Sequence, residues 1–271
     1  MTTFRLIGLP TDINSSFERG AALGPAAIRA ALFGDRGNMA CENGMEIGGD
    51  IQIDDVGNLS LSEDTPRDDI LLQDAVTAAI AANQIPLCLG GDHAVSLPIL
   101  QSIADHHGPV DILHFDAHPD TYDDFAGNPR SHASPFARIM EAGLTRRLVQ
   151  VGIRTLTHHC REQAARFGIE TIEMRDFAPE QVTGFNRLTY ISVDLDGIDP
   201  AFAPGVSHPE PGGLTVREVL AVINRVTGPI IGADIVELNP ARDINGVTAI
   251  LAAKLVREIA ARATQNMRAA I

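Results

Sequence analysis

The chain has 271 residues, and 21 Lys plus Arg stand against 35 Asp plus Glu, a formal net charge of −14. An acidic chain with 4% aromatics and no Trp lacks the cationic footprint that draws phosphate backbones and the rings that stack on bases, so nucleic acid is not an expected partner. At this length roughly 70–75% of the unfolded surface can be buried without a disulfide or metal, and no apolar run reaches the ~18 residues of a membrane span.

Phe4–Leu9 reads as the first strand, closed by Pro10 and Asp12, with no charged leader or cleavage site. Gly24-Pro25 opens a helix over Pro25–Leu32. Ile51–Val56 is a strand, Ser60–Asp69 a polar surface loop and Asp68–Ala82 a helix. Strand Pro86–Leu89, helix Ser96–His106 and strand Val110–Phe115 follow, then strands Leu148–Val151, Ile169–Ile172 and Thr189–Val193. His158-His159-Cys160 reads as a helix start, because consecutive side chains diverge on any regular backbone. Helix Thr215–Val226 and strand Pro229–Val236 precede the last helix, Gly246–Thr264, with Val247, Ile250, Leu251, Leu255, Val256 and Ile259 on one apolar stripe.

Eight strands alternating with helices, several of them continuous apolar runs, predict an α/β fold with a parallel sheet covered on both faces. No internal repeat, low-complexity tract or Pro/Gly-rich linker interrupts the chain, so residues 1–271 are expected to form one domain. Cys41, Cys88 and Cys160 form no CxxC pair and no disulfide framework. They read as buried, reduced thiols of a soluble cytoplasmic protein.

Ligands of an open parallel sheet bind at the carboxyl ends of its strands. Gly90-Gly91-Asp92-His93, Asp116-Ala117-His118-Pro119-Asp120, Asp194-Leu195-Asp196 and Glu237 all fall there. Four aspartates and two imidazoles crowded together repel unless cations neutralise them, and four negative charges match two divalent ions. Oxygen-rich ligation favours Mn2+ over a thiolate-loving metal, and ions ~3.5–4 Å apart are a standard hydrolytic device. On an extended chain Asp194 and Asp196 lie on one side about 6.6 Å apart, whereas Asp116 and Asp120 can share an ion only if the chain curls after Phe115. Alternatives fail on their spacing. No Gly-Lys-Ser/Thr follows Gly90-Gly91, and a calcium loop from Asp194 lacks Gly at its sixth position and Glu at its twelfth. There is no Gly-x-Ser-x-Gly elbow and no His-Glu-x-x-His.

Together with Ser192-Val193 before Asp194 and Gly197-Ile198-Asp199-Pro200 after Asp196, these segments resemble the three signatures of the ureohydrolases, the arginase/agmatinase family. The resemblance runs from Gly24–Arg29 to the last helix. It implies a three-layer α/β/α fold around a mostly parallel eight-stranded sheet, two Mn2+ per chain, a small guanidino substrate and a homo-oligomer, trimer or hexamer. Carried over by position, His93, Asp116, Asp120 and Asp194 resemble the ligands of one manganese, and His118, Asp116, Asp194 and Asp196 those of the other. Glu237 matches the guanidinium-holding acid and His132, in Ser131-His132-Ala133-Ser134, the proton-shuttling histidine. The implied mechanism has hydroxide attack the guanidinium carbon while Glu237 holds the cation, Asp120 takes up a proton and His132 protonates the leaving amine.

Asp116–Gly143, the segment from Gly205 to Gly213 and Asn239–Asp243 most resemble plant-type arginases and their bacterial relatives. Thr155-Leu156-Thr157 departs from animal arginases, and Ala133-Ser134 and Val206-Ser207-His208 depart from agmatinases. The expected reaction is therefore L-arginine to L-ornithine and urea, with agmatine (to putrescine) or a guanidino acid such as guanidinobutyrate as alternatives. The substrate tail is expected to meet the loops Asn14–Arg19, Tyr122–Arg130 and Thr155–His159. Single-zinc deacetylases thought to share this fold, and a non-catalytic relative, are the rival readings. The complete two-His, four-Asp set with Glu237 argues against both.

Overall fold

The continuous apolar runs sort by residue parity. In β1 (Thr2–Leu9), Phe4 and Leu6 face one side of the sheet, Ile7 and Leu9 the other, as the period of two in an extended chain requires. The same split recurs in β3 (Ile85–Gly90), β4 (Val110–Phe115), β5 (Thr145–Ile153), β7 (Thr189–Asp194) and β8 (Ile230–Val236). With β2 (Ile51–Asn58) and β6 (Glu170–Glu173) they form one eight-stranded sheet, ordered β2-β1-β3-β8-β7-β4-β5-β6, in a computed structural model that describes residues 2–269. Every neighbouring pair is parallel.

Helices cover both faces, giving the three-layer α/β/α arrangement. α1 (Gly24–Phe33), α6 (Val216–Ile223) and α7 (Val247–Ala269) bury Ile28, Leu32, Val219, Leu255 and Ile259 against the Phe4/Leu6 face. On the Ile7/Leu9 face, α2 (Thr65–Ala81), α3 (Ser96–His107) and α4 (Pro135–Glu141) bury Leu72, Val76, Ile99, Ile103 and Phe136, and α5 (His158–Phe167) adds Ala164 and Phe167.

The departures from expectation are local. α2 starts at Thr65, inside the stretch read as a loop, and Asp68 turns back to accept the Ser62 N–H at 2.9 Å. α4 spans 7 residues, too few for helical periodicity to show. α5 does begin at His158, with the Thr157 hydroxyl accepting the Cys160 N–H at 3.3 Å. In α7, Leu251, Leu255, Val256 and Ile259 are buried, but Val247 and Ile250 are 43% and 37% exposed. Val247 is the first residue of the helix, and Ile250 lines an open groove beside Ala27, Ala30 and Ala31, side chains too small to cover it. All three cysteines are free and buried, and burial pushes the Cys41 thiol up to about 11, where it is inert.

Candidate metal centre and active site

The four central strands, β3, β8, β7 and β4, are adjacent and end at one edge, so their carboxyl-terminal loops converge. Two glycines let those loops close. A Cβ on Gly91 would lie 1.7 Å from the Thr11 carbonyl oxygen, and one on Gly197 would lie 2.6 Å from the Asp116 nitrogen. Asp120 (φ 51°) and Glu237 (φ 66°) occupy the left-handed region, sparsely used by such residues and found where surrounding packing enforces it.

The expected ligands come together in two groups. His93 Nδ1 lies 3.3, 3.1 and 3.2 Å from carboxylate oxygens of Asp116, Asp120 and Asp194. His118 Nδ1 lies 3.4 Å from Asp116 and 3.1 Å from Asp196. The sets His93/Asp116/Asp120/Asp194 and Asp116/His118/Asp196 could each hold a metal ion, with Asp116 common to both. The curl after Phe115 is real: Asp116 Oδ1 accepts the His118 N–H at 2.6 Å, and the chain turns left-handed at Asp120. The path from Asp194 to Asp196 is not extended as expected: Leu195–Gly197 coil into a 3-10 turn, Asp194 Oδ1 accepts the Asp196 N–H at 2.8 Å, and Asp194 falls in the His93 group.

A divalent ion fits these residues. His93 Nδ1 is buried without a hydrogen-bond partner, while its Nε2 meets Ser192 Oγ at 2.9 Å. A ring nitrogen aimed at three carboxylates, with no proton shared between them, is the arrangement a cation completes. The carboxylates also strain against one another. Burial, joined by the charges of Asp196 and Asp116, pushes Asp194 well above the usual carboxylate range, and burial outweighs the attraction of His118 to raise Asp196 to about 6.

Beneath the ligands runs a polar row that the sequence reading missed. Gln150, His114, Ser192 and Asp234 stand in register across β5, β4, β7 and β8, and all are fully buried. The Gln150 amide donates to His114 Nδ1 at 3.1 Å, so His114 Nε2–H donates to Asp116 at 2.9 Å. Asp234 accepts the hydroxyls of Ser192 and Ser96 at 2.7 Å and that of Tyr190 at 2.6 Å. The signal was available: His114 and Ser192 are polar residues inside apolar runs, each two positions before a ligand and hence on the same sheet face.

Glu237 Oε1 accepts the His93 N–H at 2.9 Å and the His132 Nδ1–H at 2.7 Å, so the two residues carried over as catalytic are in contact. Burial opposes protonation of His132, but the charge and hydrogen bond of Glu237, with Asp120 and Asp92, outweigh it and carry the imidazole up to about 9. Both residues line a cavity of about 200 Å³ together with His118, Asp120, Asp194 and Asp196. Of the loops expected at the substrate tail, two contribute, through Ser16 and through Tyr122 and Phe125. The third does not reach the lining among the described residues: the Thr155 hydroxyl bonds the Ala117 carbonyl at 3.1 Å, and His159 stacks on Tyr122. His208, unforeseen as a site residue, lines the cavity with its ring centroid 5.2 Å from that of His132.

Fold and site define a three-layer α/β/α scaffold with paired His/Asp groups suited to divalent metal. The profile described as the arginase family matches residues 2–261. The chain is 46% identical to "Arginase 1, mitochondrial" of Arabidopsis thaliana, over 95% of its own length and 80% of the relative's. It is 45% identical to "Arginase, mitochondrial" of Medicago truncatula, over 96% and 82%. The solved arginase from Medicago truncatula superposes with a TM-score of 0.91 at 44% identity, covering 97% of this chain and 87% of that one. The chain belongs to the arginase family and is a hydrolase. The cytoplasmic expectation is corrected by the same comparisons, since these plant relatives are named mitochondrial. Acidic composition and reduced thiols suit any reducing compartment and do not distinguish one from another.

Proposed function

We propose that the protein hydrolyses L-arginine to L-ornithine and urea with two Mn2+ per chain. The observation that carries this reading is the charge of the cavity: Asp120, Asp194, Asp196 and Glu237 line it, and no Lys or Arg does among the described residues. Such walls select a cationic guanidinium. Arginine is the preferred guanidine because the plant relatives above bear the name arginase.

His93, Asp116, Asp120 and Asp194 would hold one ion, and Asp116, His118 and Asp196, with Asp194 at their edge, the other. When bound, the ions supply the Lewis acidity that makes hydroxide available near neutral pH. Glu237, fixed through Oε1 by His93 and His132, has a second oxygen for the guanidinium N–H groups and orients the carbon for attack. Asp120 takes a proton from the attacking water. His132, readily charged beside Glu237, returns one to the departing amine.

Urea release by Mn2+-loaded protein from arginine, agmatine, 4-guanidinobutyrate and 3-guanidinopropionate, run in parallel, tests the substrate. Arginine is expected to lead the others in kcat/KM by at least about a hundredfold, the discrimination that pocket shape alone can provide. A preference for agmatine or an acid, or no urea from arginine, overturns the reading.

A further inference from the structure

A strap of chain from Asn14 to Gly20 closes on His132 rather than on the metal ligands. Its root is fixed: the Asn14 carbonyl accepts the His132 N–H at 3.0 Å, and the Asn14 N–H donates to buried Asp92 at 2.8 Å. Phe17 meets the ring of His208, a cavity residue, edge-on at 5.9 Å. Between these anchors Ser16 brings both its N–H, at 3.1 Å, and its hydroxyl, at 2.8 Å, to His132 Nε2.

A backbone N–H can only donate, so in the neutral ring His132 Nε2 presents a lone pair and the proton sits on Nδ1, shared with Glu237, while in the charged ring Nε2 carries the proton to be given up. The Ser16 hydroxyl both donates and accepts, and Ser16 lines the cavity beside His132. We propose that Ser16 is a further catalytic residue, its hydroxyl relaying a proton between His132 Nε2 and the departing amine nitrogen. This rests on the shuttle role proposed for His132.

As the bond from the guanidino carbon to the substituted nitrogen breaks, its electron pair stays on that nitrogen. The nitrogen takes the Ser16 hydroxyl proton, and the Ser16 oxygen takes the proton held on His132 Nε2. Over the reaction the attacking water releases two protons and the departing nitrogen gains two. One passes through Asp120; the other enters solvent, from which His132 is recharged through the same hydroxyl. A proton on Nε2 faces the Ser16 N–H 3.1 Å away, and this repulsion favours giving it up to the amine.

Ser16→Ala keeps the backbone N–H and removes only the relay. With Mn2+-loaded protein and arginine, kcat is expected to fall at least about tenfold, less than the ~10²–10⁴ of a lost general acid because water can replace the hydroxyl. KM and metal content stay unchanged, and Ser16→Thr restores most of the rate. Independently of turnover, 15N-histidine NMR of the metal-free protein, recorded at a pH above the His132 titration, is expected to show a protonated Nδ1 and a bare, hydrogen-bonded Nε2 for His132, with Ser16→Ala moving Nε2 towards the signal of a free imine nitrogen. A wild-type kcat in Ser16→Ala, or a Ser16→Thr variant as slow as Ser16→Ala, overturns the relay. The His132→Ala variant separates the two readings. If it loses turnover while Ser16→Ala does not, only the relay fails; if it turns over at the wild-type rate, the shuttle role and the relay fail together.

Discussion

Asp194→Asn is expected to have opposite effects on the metal-free and metal-loaded protein. In the metal-free protein Asp194 is a buried carboxylate forced upward by its own burial and by Asp196 and Asp116, so its charge is unfavourable there. An asparagine at this position keeps an oxygen for the Asp196 N–H, bonded at 2.8 Å. Its amide can also donate towards His93 Nδ1, which lies 3.2 Å from Asp194 Oδ2 and has no partner of its own. A repelling charge is removed and an orphaned acceptor satisfied, worth about 1 kcal/mol or roughly 2–4 °C in Tm for a chain of this size. On the proposed metal assignment the same change removes a ligand of the ion held by His93. Mn2+ binding should weaken sharply, and urea release should fall at least about 10³-fold, equivalent to about 4 kcal/mol of lost transition-state stabilisation. Melting curves with and without Mn2+, beside a urea assay, check both halves. A variant that is less stable without metal, or that binds Mn2+ as the wild type does, contradicts the assignment.

Glu237→Gln is expected to leave the metals in place and abolish most turnover. The amide oxygen can still accept from the His93 N–H and from His132 Nδ1, the two bonds that orient the side chain at 2.9 and 2.7 Å. What disappears is the negative charge offered to the guanidinium. Losing one partner of a buried, hydrogen-bonded charge pair costs about 2–5 kcal/mol, or roughly 30-fold to 5,000-fold in kcat/KM. A second consequence follows from the direction of the His132 shift. Glu237 is the chief group holding that imidazole up against burial, so without its charge the His132 pKa drops and the proton donor is depleted from a lower pH onwards. The variant should therefore lose activity on the alkaline side earlier than the wild type does. Metal analysis showing two retained ions beside a fall of this size supports the role; an unchanged kcat/KM contradicts it.

What could be read from sequence, and what could not, follows from the range of each interaction. The strands showed because a sheet buried on both faces draws on apolar residues at successive positions, as Pro86–Leu89 and Ile230–Ala233 do. The candidate site residues showed because a parallel sheet gathers its strand ends, so Asp116, Asp194 and Glu237 share an edge from topology alone. The fine placement of Asp194 was not legible. It depends on a 3-10 turn over Leu195–Gly197 that local composition does not separate from an extended continuation. His114 and Asp234 were passed over because their cross-strand partners, Gln150 and Ser192, meet them only in register, and strand register is set by packing at long range. Ser16 and His208 were missed as individual residues for the related reason that loops meet only after the scaffold has formed.

The central claim is that the two His/Asp groups together run guanidino hydrolysis. Metal-free protein titrated with Mn2+, with bound ions and urea formed from arginine counted in the same samples, tests it most directly. The expected result is urea release that rises with occupancy and reaches its plateau at two ions per chain. A plateau at one ion, or urea released as fast without metal, would contradict it.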